Sequence, residues 1–197
     1  MQLLRSENDN IRIVQLAPTN FAKEKLLTYS ITNGILDITD HNKTKVGFSS
    51  STDLQIYCPE QTFEKLSVQC TSESITDVDL KSKTLEVKTT AGDIDIDGIF
   101  ENIESDSNQN ILIFCEDMPK NTLITGTVSD TVLKLPENNG FTLFYDTASG
   151  DIESDFPLQK DNENYIYKDG SNKINVEFSH YCPPLLSFYQ QLLSDLR

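Results

Sequence analysis

What the chain lacks narrows its function before any motif is read. No apolar run approaches the roughly 18 residues that a membrane-spanning helix needs. The first nine residues, Met1 to Asp9, show no charged-then-apolar signal pattern, so either the chain works inside the cell, in the cytoplasm, or a targeting segment precedes it and places it at the cell envelope or surface. Basic residues are scarce: 16 Lys and Arg stand against 31 Asp and Glu, for a formal charge of −15. A field of that sign repels phosphate backbones and anionic lipid, which sets nucleic acid and anionic membrane surfaces aside as partners. Proteins, neutral glycans and cations remain. The bland meaning of the same charge is solubility.

Chemistry-bearing motifs are equally sparse. Only two histidines occur, His41 after Asp40 in a polar turn and His180 beside Tyr181, and neither accompanies a nucleophile. There is no G-x-S-x-G elbow and no G-x-x-x-x-G-K phosphate loop. The four cysteines, Cys58, Cys70, Cys115 and Cys182, form no CxxC pair, which excludes a zinc knuckle or a thioredoxin-type site. Cys58 and Cys115 lie within apolar runs and Cys70 just after one, where a thiol behaves as a small hydrophobe. Free, mostly buried thiols are expected, and no catalytic, cofactor-binding or metal-ligating residue is assigned.

Strand signals fill the space left by these absences. Ile11–Leu16, Leu26–Ile31, Gly34–Thr39 and Asp53–Pro59 read as short strands, followed by Leu66–Cys70. Leu85-Glu-Val-Lys-Thr89 alternates apolar and charged side chains as a half-buried strand does. Thr90-Ala-Gly-Asp93 turns a corner, and Ile94-Asp-Ile96 resumes with its apolar parity shifted from odd to even. A bend at Gly92, with glycine supplying positive φ, absorbs that shift.

The corner phrase recurs. It appears as Asp146-Thr-Ala-Ser-Gly-Asp-Ile152 with its glycine at Gly150, more faintly at Thr127–Val132 and Cys70–Ile75, and in degenerate form from Ile103 to Phe114. With Ser72, Ala91, Ser129 and Ser149 equivalent, the steps are 19, 38 and 20 residues, the second being two steps of 19. A recurrence near 20 residues is the mark of a solenoid whose coils share one core. A β-sandwich has similar strand spacing, but it gives no reason for the phrase itself to repeat. The expected fold is therefore an all-β, single-stranded β-helix or β-solenoid with right-handed winding, over residues 1–180, with clear repeats from about 50 to 178. Beyond Ser179 the pattern stops. Leu185, Phe188, Tyr189, Leu192 and Leu196 fall on one stripe at helical spacing, so residues 181–197 are expected to form a short apolar helix that covers an open end.

One motif tests a metal reading. Asp93-x-Asp95-x-Asp97-Gly98, with Glu104 six positions on, satisfies the formula of a calcium loop. Such a loop works by coiling between two helices. Here Ile94 and Ile96 alternate with the aspartates, so an extended strand would space the carboxylates about 6–7 Å apart along one face. A solvated acidic stripe is the expectation, and not a Ca²⁺ site.

Leu54–Pro59 with Phe63–Val68 and Thr71-Ser72, then Leu85–Ile94, then Val132–Pro136, Gly140-Phe141 and Thr147–Ile152, together resemble the bacterial putative-adhesin family marked by Gly-Asp-Ile repeats. That resemblance covers roughly residues 50–178. It implies a stacked β-helix without a catalytic site, acting as an adhesion-type binding module for a protein or glycan at the cell envelope. The alternative it implies is an intracellular regulatory or scaffolding module in the envelope-stress response. A third reading, a glycan-active enzyme using paired carboxylates, rests on fold analogy alone.

Overall fold

The computed structural model describes residues 1–19, 21–39, 53–77, 79–127, 130–147, 150–179 and 185–191. Its strands are, in chain order, β1 (Gln2–Arg5), β2 (Arg12–Leu16), β3 (Thr28–Thr32), β4 (Ile35–Thr39), β5 (Asp53–Cys58) and β6 (Thr62–Cys70). There follow β7 (Ile75–Asp77), β8 (Leu80–Thr89), β9 (Ile94–Ser107), β10 (Ile111–Cys115), β11 (Asn121–Gly126) and β12 (Thr131–Pro136). The last third holds β13 (Phe141–Thr147), β14 (Asp151–Ser154), β15 (Gln159–Asp161), β16 (Asn164–Tyr167), β17 (Asn172–Phe178) and β18 (Leu185–Gln191). The chain is all-β: among the described residues the only helical element is a single 3-10 turn at Lys23–Lys25.

Sixteen of these strands join in one large mixed sheet, while β3 and β4 pair only with each other. Their hairpin turns through Asn33 (φ 54°) and Gly34 (φ 77°), both left-handed, as a two-residue turn matched to strand twist requires. In the large sheet most neighbours are parallel, and two rows can be followed. The first runs β5, β1, β7, the start of β9, β10, β12, β18, β14. The second runs β6, β8, the end of β9, β11, β17, β13, and closes with antiparallel β16 and β15. The recurrence legible in the sequence is the pairing offset: Ile75 faces Ile94, Ile94 faces Ile111, Leu66 faces Leu85, and Leu85 faces Ile103.

The parity shift is real, and it occurs at more than one place. Leu85 and Val87 are buried on β8, and Ile94 and Ile96 on β9. Each of these long strands also changes parity within itself. Leu80 and Ser82 are buried before Lys83, and Leu85 after it; Phe100 is buried before Glu101, and Ile103 after it. Side chains stack at these bends. Asn102 Nδ2 donates to Lys83 O at 3.3 Å, and Asn121 Nδ2 donates to Asn102 Oδ1 at 2.8 Å.

Gly92 occupies its corner for a different reason from the expected one. Its φ is not in the left-handed region; what it supplies is close approach, since a Cβ there would lie 2.2 Å from Glu73 O. That carbonyl accepts from Cys70 Sγ and Thr89 Oγ1, and the Gly92 carbonyl in turn accepts from Ser107 Oγ at 2.8 Å. The aspartate after the corner ties neighbouring strand ends together. Asp93 Oδ1 accepts the Asn110 amide, and Asp130 Oδ1 accepts the Leu185 amide.

The expected C-terminal helix is corrected. Residues 185–191 form strand β18, paired on both sides, with Leu186 beside Thr131 and beside Ile152. It does not cover an end of the sheet. Leaving β12 the chain continues into β13, one position further along the second row, and returns through β15 and β16. Strand β17 then fills the position between β11 and β13, and β18 the one between β12 and β14. At the other end β1 is likewise inserted between β5 and β7, with antiparallel β2 outside β5. Residues 181–184 and 192–197 lie outside the described residues. The aromatic centre forms where the returning segment meets the sheet: Phe141 lies 5.3 Å from Phe156, 5.5 Å from Tyr167 and 5.7 Å from Phe188.

Candidate functional site

Because β17 returns between β11 and β13, six parallel strands of the second row place one outward position each in a line. Gln69 faces Lys88, Lys88 faces Asp106, Asp106 faces Thr125, Thr125 faces Glu177, and Glu177 faces Asp146. At about 4.8 Å between strands this line runs about 24 Å. It forms the floor of an open groove of about 620 Å³. Asn108 and Thr127, hydrogen-bonded to each other, form part of its wall. The Lys88 ammonium is bound to Glu104, and this hydrogen bond holds its pKa above the ordinary lysine value. Asp106, Glu177 and Asp146 therefore leave the floor acidic. Asp146 and Glu177 are exposed, which is a setting for hydrogen bonding to a ligand and not for a desolvated catalytic acid.

The four carboxylates of the calcium-loop formula are not brought together. Asp93 holds the Asn110 amide at 3.1 Å, Asp95 is exposed, Asp97 is half-buried, and Glu104 is tied to Lys88 further along β9. Among the described residues no three His, Cys, Asp or Glu side chains converge as metal ligands. His41, His180 and Cys182 lie outside the described residues.

A second titratable feature lies in the core. Asp77 points inward from β7, 4% exposed, and neither carboxylate oxygen has a hydrogen-bond partner. Burial, followed by the charges of Asp97, Asp79 and Asp95, pushes its pKa to about 8; the Leu80 amide, near but outside hydrogen-bond geometry, only partly offsets this. A free aspartate titrates near about 3.9. Between these values the folded chain keeps a proton that the unfolded chain has released. Stability from this group is thus greatest at about pH 4 and below, falls as the pH rises to about 8, and is level above. Burial likewise raises Asp97, whose Oδ1 also lacks a partner.

The nearby thiols are free. Burial first, and then Asp77, raises Cys58 to about 11; burial and then Asp97 raise Cys115 to about 12. Since the thiolate is the reactive form, iodoacetamide at pH 8 should modify half-buried Cys70 well before Cys58 and Cys115, which should be labelled only on unfolding. Peptide mass spectrometry checks this order, and early labelling of Cys115 would contradict the packing around it.

The groove row could not be found from sequence, because it depends on which strands are neighbours. Asp77 could have been: the 19-residue step that sets Thr76 beside Asp95 also puts Asp77 in the place of Ile96.

The fold and groove together define an all-β protein with a mainly parallel sheet and an open polar surface channel. Its fold is similar to that of a putative cell adhesion protein from Clostridium sporogenes, with a TM-score of 0.56 and 14% identity over 96% of this chain and 87% of that one. No family model matches the chain. No curated protein matches it either.

Proposed function

We propose that this chain is a non-enzymatic binding module of adhesion type, a β-solenoid of about 20-residue coils related to the putative-adhesin family and associated with the bacterial cell envelope. The observation that carries the reading is the outward line from Gln69 to Asp146, which offers hydrogen-bonding side chains at each strand step along an open channel. The regular parallel offsets support the solenoid, and the likeness of fold to a cell adhesion protein supports the class of function. Its ligand is an extended neutral glycan or protein segment, because a floor with Asp106, Glu177 and Asp146 disfavours anions.

Thr125 lies at the middle of the line, outward and away from the core, so Thr125→Trp fills the channel without repacking the interior. With fluorescently labelled neutral polysaccharides and extended peptides as probes, binding to the purified chain and to native cells should fall at least tenfold in the variant. Equal binding by wild type and variant, at equal thermal stability, would remove the groove from consideration.

A further inference from the structure

The inward position that Asp77 occupies belongs to an otherwise apolar column. Along the first row, Leu3 lies beside Asp77, and the register of β7 on β9 puts Asp77 beside Ile96. Ile96 then faces Ile113, Ile113 faces Leu133, and Leu133 faces Phe188. Every one of those apolar neighbours is at most 4% exposed. An unpartnered carboxyl in such a column is tolerable as a neutral acid and costly as a carboxylate.

The groups around it make ionisation worse. Asp95 and Asp97 come from β9, Asp79 from the end of its own strand, and the Cys58 thiol from β5. The one cation on β1, Arg5, is committed elsewhere, with its guanidinium donating to Asp79 at 2.7 Å and to Glu60. From β8 only the Leu80 amide approaches. No base among these is free to stabilise a carboxylate at position 77.

The element best placed to respond is β1. It is four residues long, inserted between β5 and β7, and Leu3, directly beside Asp77, is its one fully buried side chain. We propose that Asp77 is a protonation-controlled latch on the N-terminal strand: as the neutral acid it lets Leu3 seat and β1 complete the sheet, and on losing its proton it draws water into the column and releases β1 from between β5 and β7. The proton passes to solvent, and no covalent bond changes. With β1 out, Asp77 is hydrated and titrates as an ordinary aspartate. The opening equilibrium should therefore rise roughly tenfold per pH unit up to about pH 8 and level off above it. Acid conditions lock the strand, and mildly alkaline ones free it.

Amide hydrogen exchange on the intact chain, read by NMR or mass spectrometry from pH 5.5 to 9 and corrected for intrinsic rates, tests the latch. The Leu3 and Leu4 amides should lose protection along that profile in the wild type, while those of Ile113 and Leu133, in the middle of the row, should not. Asp77→Asn should abolish the pH dependence at β1. Asp77→Leu, which matches the apolar column, provides the same comparison should the amide variant fold poorly. The latch is overturned if either variant keeps the wild-type profile, or if the wild type loses protection equally at β1 and at Ile113 and Leu133.

Discussion

Gly92→Val should leave the chain unable to reach its native state under mild conditions, or reach it with about 3 kcal/mol or more of stability lost. The argument is steric. A Cβ at residue 92 meets Glu73 O at 2.2 Å, Glu73 C at 2.4 Å and Ser74 N at 2.8 Å, all of them main-chain atoms. A flexible side chain could swing aside; a backbone carbonyl that already accepts from Cys70 and Thr89 cannot move without breaking both bonds. The disturbance also passes to the next strand end, because Ser107 is buried and donates to the Gly92 carbonyl. Gly34→Ala is the contrasting case. Gly34 has φ +77° and open space around it, so only left-handed strain applies, about 1–2 kcal/mol, and this falls on a hairpin outside the large sheet. Urea denaturation of the two variants separates the mechanisms. Similar midpoints for both would mean that the corner at Gly92 is looser than its contacts indicate.

That corner also shows which parts of the structure local sequence can encode. The alternation of Leu85 and Val87, and then of Ile94 and Ile96, is readable because side-chain direction along a strand has period two and burial follows direction. The step near 19 is readable because parallel neighbours repeat the same environment, so the same small and acidic residues return at each corner. The acid serves a purpose invisible to periodicity alone: Asp93 and Asp130 accept a main-chain amide from the neighbouring strand end. The segment from Leu185 misleads for an equally physical reason. Leu185, Phe188 and Tyr189 satisfy helical spacing, while Leu186 and Phe188 satisfy strand spacing, and so short an apolar run cannot separate the two. The choice is made by unpaired main-chain groups on β12 and β14, more than 30 residues earlier, which only an extended segment can satisfy on both sides. The groove was hidden for the same reason, since Glu177 joins the line between Thr125 and Asp146 only once β17 has entered.

This insertion makes the C-terminal segment the most consequential part of the chain to remove. A chain ending at Ser171 lacks β17 and β18, and should fail to give a cooperative, soluble fold. Ile174, Val176, Leu186 and Phe188 are fully buried and Phe178 nearly so. At about 1.5–3 kcal/mol for each buried side chain, their loss amounts to roughly 10 kcal/mol, comparable with the whole stability of a typical domain, about 5–15 kcal/mol. The damage would also be internal. Strands β11 and β13 lose the neighbour between them, as do β12 and β14, so four strands are left with unpaired donors and acceptors in the middle of the sheet. A segment that merely covered an end would behave differently: its removal would expose one edge and lower the melting temperature modestly. Phe188→Ala gives a graded version, expected to cost about 3–5 kcal/mol, since this ring lies 5.7 Å from Phe141 at 18° between planes in the aromatic centre. Adding a peptide of residues 172–197 to the shortened chain should restore β-sheet circular dichroism and a cooperative melt, because the vacant positions are flanked by strands ready to pair. A shortened chain that melts cooperatively within a few degrees of the full one would show that β17 and β18 do not hold the two ends of the sheet together.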